Sequence, residues 1–181
     1  MLRSVFILLF IFSFAIGRAN SILIPMDEAQ HNQLKAYGLA YFMLQKGNDV
    51  DWLLNYRGGS FMVDYSTQFE SECIIRGISF EVISSATVTS ILLEIARPDV
   101  NMEIVKLQTA PKIAVYSIKN ELIQDETDAV ITVLNYAEIP YTILYDDEIL
   151  KDELVKYDWL HLHHEDFTGQ HGRFMRRESS V

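Results

Sequence analysis

Val50-Asp51-Trp52-Leu53-Leu54 runs into Asn55-Tyr56-Arg57-Gly58-Gly59-Ser60 and then Phe61. The first five residues are rich in apolar and aromatic side chains and predict a strand. The next six break that regularity, with paired glycines that free the backbone to turn. Residues 66–76 read as a helix, closed by Gly77 as its cap. A strand that feeds a polar loop and is followed by a helix is the opening of a βαβ unit.

The same alternation continues to either side. Ser21-Ile22-Leu23-Ile24 predicts a short strand, and Gln30 to Gln45 carries a helical apolar stripe capped by Gly47. Ile78–Ile83 reads as a strand, Ala86–Ala96 as a helix that stops before Pro98, and Met102–Leu107 as another short strand. A second unit starts near Pro111. It has a strand at Lys112–Tyr116, a polar loop, a helix at Asp128–Ala137, a strand at Tyr141–Tyr145, a short acidic helix at 146–154 and a strand at Tyr157–His163. The expectation is an α/β fold with a mainly parallel sheet and flanking helices, flavodoxin-like or Rossmann-like, built as two βαβ units. The units span 20–109 and 110–169. The second reads as truncated, because no helix returns over its last strand, so the chain reads as a fragment. Residues 170–181 read as a polar, disordered tail. Asp51-Trp52-Leu53-Leu54 and Asp158-Trp159-Leu160-His161 echo each other, which suggests that both following loops lie at the carboxyl edge of the parallel sheet.

The N-terminus has the make-up of an export signal. Arg3 precedes an apolar run from Val5 to Ile16 that only Ser13 interrupts. That length suits a signal core of roughly 7–15 residues and falls short of the roughly 20 that span a bilayer. Gly17 and Ala19 have the spacing of a cleavage site, so residues 1–19 are expected to be removed in a Sec-type route to the periplasm or beyond. The full chain carries 15 basic and 25 acidic residues, a net charge of −10. Losing Arg3 and Arg18 makes it more acidic still, which disfavours nucleic acid and anionic lipid as partners. No stable membrane span remains after cleavage. Cys73 is the only cysteine, which excludes an internal disulfide, and it reads as a buried structural residue. No Asn-x-Ser/Thr sequon is present, which favours a bacterial envelope.

Two stretches could carry chemistry. In His161-Leu162-His163-His164-Glu165-Asp166, a strand would point His161 and His163 to one face. Such a pair with nearby carboxylates could hold zinc or another divalent metal. Alternatively His163, His164, Glu165 and Asp166 could act as catalytic acid/base groups, or orient a loop. In Arg57-Gly58-Gly59-Ser60, paired glycines and a guanidinium suit the carboxylate or phosphate of a ligand, or else a tight turn with a surface Arg. The acidic run Asp146-Asp147-Glu148 fits a helix N-terminus better than a calcium loop. Tyr37, Tyr41, Phe42 and Trp52 read as core.

The long runs Val50–Phe61 and Tyr157–Gly169, with Leu23–Asp27, Leu34–Gly38 and Pro111–Ser117, resemble one poorly characterised bacterial family of exported proteins often labelled asparagine synthetase B. The resemblance covers nearly all of residues 22–174. Its label implies glutamine-dependent asparagine formation. The residues depart from that chemistry: Leu2 stands where the nucleophilic Cys is needed, and Arg57-Gly58-Gly59-Ser60 is not the Ser-Gly-Gly-x-Asp-Ser loop for ATP. The second unit resembles the start of a class I glutamine-amidotransferase-like domain. The expected function is therefore an exported amidotransferase-like or hydrolase-like domain. The alternative is a non-catalytic envelope module that binds a small molecule, peptide or glycan.

Overall fold

The computed structural model describes residues 20–117 and 129–162. Residues 1–19, where an export signal is expected, residues 118–128 and everything from His163 onward lie outside them. Among the described residues no helix is long and apolar enough to cross a membrane.

The stretch after the paired glycines decides the topology. β1 (Asn20–Ile24), α1 (Gln33–Gln45) and β2 (Val50–Leu54) follow in order, but Ser60–Asp64 is then a further strand, β3. Asn55–Gly59 is thus the loop of a β2–β3 hairpin, with Trp52 opposite Phe61 and Leu53 opposite Ser60. α2 (Thr67–Arg76), β4 (Glu81–Ser84), α3 (Ser85–Ile95) and β5 (Glu103–Leu107) complete the unit. The sheet order is β4-β1-β3-β2-β5, and every neighbouring pair is antiparallel. β3 lies between β1 and β2, and β1 lies between β3 and β4. Each βαβ passage is therefore split by an inserted antiparallel strand, the arrangement of ferredoxin-like βαββαβ folds.

The expected mainly parallel, flavodoxin-like or Rossmann-like sheet is overturned by this order. The cause is burial on both faces. Ile22, Ile24, Val50, Phe61 and Val63 pack against α1 and α2 through Leu39, Met43, Phe69 and Cys73. Leu23, Leu53, Met62 and Ile83 pack on the other face against Ile91 and Ile95 of α3. Successive side chains alternate between faces, so a doubly covered strand reads as a continuous apolar run, the usual mark of a parallel sheet. Ile22, Leu23 and Ile24 are each at most 1% exposed. At about 1.5–3 kcal/mol per fully buried aliphatic side chain, burial outweighs the weak strand preference of a segment that opens Asn-Ser.

A second, three-stranded sheet follows. β6 (Ile113–Tyr116), α4 (Ala129–Ala137), β7 (Tyr141–Leu144), α5 (Asp146–Ile149) and β8 (Trp159–Leu162) form it, in the order β7-β6-β8 with both pairings parallel. α4 covers one face, where Ile131 and Leu134 meet Ile113 and Val115. Trp159 and His161 pair with Ile113 and Val115, so they share that face. Asp158 fastens the start of β8 to β6: the Lys112 backbone N–H donates to its carboxylate at 2.8 Å, and its own N–H donates to the Lys112 carbonyl at 2.9 Å.

Helix α1 joins the two sheets by packing on α4. A Cβ on Gly38 would stand 1.8 Å from the Ala137 carbonyl oxygen, so only glycine permits this approach. Glu138 clamps the junction, with Lys35 at 2.5 Å and Arg76 at 2.7 Å.

Candidate functional site

The Arg57 loop is held by its own chain. Asn55, Arg57, Gly58 and Gly59 all have positive φ (60°, 45°, 82° and 93°), a run that turns the backbone sharply between paired strands. A Cβ on Gly58 would lie 2.5 Å from the Met26 carbonyl oxygen, and the Met26 N–H donates to the Arg57 carbonyl at 3.1 Å. Glycine at 58 thus lets the loop press on the chain leaving β1. The Arg57 guanidinium donates from Nε to Asp27 at 2.8 Å and from Nη1 to Glu81 at 2.6 Å. These bonds hold the Asp27 carboxyl below its ordinary range and raise the guanidinium further. Ser60 is fully buried, and its hydroxyl donates to the Tyr56 carbonyl at 3.0 Å. The Trp52 indole N–H donates to the Gly59 carbonyl at 3.1 Å. Arg57 therefore ties the hairpin loop to the residues after β1 and at the start of β4. An incoming anion would have to compete with two carboxylates already in place.

The parallel sheet offers a different setting. In the order β7-β6-β8 the chain passes from β6 to β7 on one side, then crosses to β8 on the other. The carboxyl ends of β6 and β8 lie side by side at that reversal, with Val115 opposite His161 and Tyr116 opposite Leu162. Ligands of parallel α/β sheets bind in the crevice outside such a switch point. His161 is partly buried there, with its Nε2 shielded from solvent. Tyr116 donates its hydroxyl to Asp146 at 2.6 Å, and the Ser117 N–H donates to the Leu144 carbonyl at 3.0 Å. The sequence offers His161 here as a metal ligand and Asp146 as part of an acidic helix start, and it does not single out Tyr116 or Ser117. The signal of these two is positional, since Tyr116 ends a parallel strand and Ser117 follows it directly.

The expected catalytic residues His163, His164, Glu165 and Asp166 lie outside the described residues, as does His163 of the expected metal pair with His161. Among the described residues no group of three or more His, Cys, Asp or Glu is placed to hold a metal ion. The two echoing loops do not share an edge: the one after β2 is an antiparallel hairpin, while β8 is parallel to β6. Cys73 is fully buried in α2, and burial pushes its thiol up to about 12, too high for a nucleophile at neutral pH. Asp146, Asp147 and Glu148 open α5, where Glu148 accepts the Tyr145 N–H at 3.0 Å. Of the aromatics expected in the core, Tyr41, Phe42 and Trp52 are partly buried and Tyr37 is 44% exposed. No family model, no curated protein and no solved structure matches the chain.

Proposed function

We propose that the chain is an exported envelope protein whose parallel sheet carries a hydrolase-like or amidotransferase-like site for a small amide or ester. The observation that supports this reading is the switch point between β6 and β8. His163 is bonded to Leu162, the last residue of β8, and His164, Glu165 and Asp166 follow in sequence. An imidazole beside a carboxylate is the ordinary pair for moving a proton near neutral pH, because histidine titrates there and the carboxylate steadies its charged form. In this proposal one of His163 and His164 takes and returns the proton, while Glu165 or Asp166 orients the ring. Arg57 takes no part, since Asp27 and Glu81 hold it.

The test begins with protein expressed from the full sequence and recovered from the envelope, whose mass should show cleavage after Ala19. Its turnover of glutamine and of simple amides and esters is then compared with His163→Ala and His164→Ala. The expected result is turnover that falls on the order of 100-fold or more in one of the two, with the folded spectrum retained. Equal turnover in all three proteins, or none with any substrate, would overturn the catalytic reading and leave a binding module.

A further inference from the structure

A cleft of about 280 Å³ opens at the amino ends of β6 and β7, where the last turn of α1 meets them. It lies at the opposite edge of the parallel sheet from the switch point. Three tyrosines line it: Tyr41 from α1, Tyr141 at the start of β7, and Tyr157 just ahead of β8. Each ring is partly buried, and two are anchored. Tyr41 donates its hydroxyl to the Pro111 carbonyl at 2.7 Å, and both Tyr41 and Tyr141 pack against the Ile113–Val115 core. Ile113 and Pro140 complete the apolar part of the lining, and three exposed residues supply its polar part: Gln45, Lys112 and Thr142.

Three features narrow the chemistry of an occupant. The volume falls just under the roughly 300–1,000 Å³ of sites for drug-sized ligands, so one small ring suits it. Fixed aromatic faces favour a ligand with an apolar face. The amide, hydroxyl and ammonium around them favour one whose rim carries hydroxyl groups. Both signs of charge stand at the cleft, the Lys112 ammonium in its lining and, beside it, the Asp158 carboxylate, which accepts the Lys112 backbone N–H at 2.8 Å. That carboxylate adds to burial in raising the Tyr41 hydroxyl pKa, so a neutral ligand suits the cleft better than an ionic one. A neutral pyranose has just this division, with C–H bonds on its face and hydroxyls around its edge. The cleft also sits where α1 of the first unit meets the strands of the second, and junctions between units are favoured places for ligand sites.

We propose that this cleft binds a neutral pyranose unit of a glycan, as a site separate from the one proposed at the carboxyl edge. It does not depend on that reading. Methyl glycosides of glucose, galactose and mannose are titrated into isotopically labelled full chain and followed by backbone amide shifts. The expected result is a saturable shift with at least one glycoside, in the millimolar range, centred on Tyr41, Thr142 and Tyr157. It should vanish in Tyr157→Ala and weaken several-fold in Gln45→Ala, an exposed position whose truncation leaves the core intact. Shifts that do not saturate, that centre elsewhere, or that persist unchanged in Gln45→Ala would overturn the proposal. A stronger response to glucuronate would also overturn it in favour of an anion site, and a stronger response to indole in favour of a flat aromatic ligand.

Discussion

The most constrained single residue is Arg57, a non-glycine residue at φ 45° that carries two carboxylates on one guanidinium. The sequence offers Arg57 as a cationic fork for a ligand or as a surface Arg on a tight turn, and neither reading contains its two partners. Asp27 and Glu81 lie 30 and 24 positions away, and no local pattern announces pairing at that range. The bond from Arg57 lowers the Asp27 pKa, and the bond from Lys35, reinforced by Arg76, lowers that of Glu138. For a carboxylate whose folded pKa is depressed, the stabilisation is present above its unfolded value and is lost as pH falls through the folded one. Those unfolded values are near 3.8 for Asp27 and 4.5 for Glu138. The urea midpoint should therefore hold between about pH 7 and pH 5 and fall below that, as far as these two groups decide it. Asp27→Asn should be the less stable protein at about pH 7, and the gap should narrow as pH falls below the ordinary carboxylate value of 3.8 towards the lower folded one. A constant gap across that range would mean that the Asp27–Arg57 pair does not contribute in this way.

At the scale of elements, much was legible where the signal is local. α2 begins after Ser66, whose hydroxyl accepts the Phe69 N–H at 3.1 Å, and ends at Gly77 with φ 65°. Both marks stand in the sequence. The expected bounds of α3 and β5 also lie within a residue of those observed, α3 because Pro98 limits how far it can run. β3 was not read as a strand, because Phe61-Met62-Val63 follows a glycine-rich break and shows no alternation of apolar and polar residues. That one omission turned a split antiparallel sheet into an expected parallel one. The candidate site is legible in the sequence to the extent that His161 lies one residue from the end of a strand. The contact of Tyr116 with Asp146 depends on strand order, which local patterns do not encode. The packing of α1 on α4 makes its own prediction. Alanine is the better helix former than glycine by about 1 kcal/mol. A methyl group 1.8 Å from a backbone oxygen cannot be accommodated without moving the helices apart. Overpacking of this kind costs about 1–3 kcal/mol. Gly38→Ala should thus lower stability in urea unfolding, whereas a gain would show that the helices separate freely.

The whole molecule combines two sheets of different design. The antiparallel unit is covered on both faces and carries its own internal ties at Arg57 and Ser60. The parallel unit presents the strand ends where open α/β sheets bind their ligands. The most direct test of the site at those strand ends is to add glutamine, and then each simple amide in turn, to labelled protein and to follow backbone amide shifts. The expected result is a saturable response confined to Tyr116, Ser117, His161 and Leu162 among the described residues. A response centred on Asn55–Gly59 instead, or none with any amide, would contradict a site at the carboxyl ends of β6 and β8.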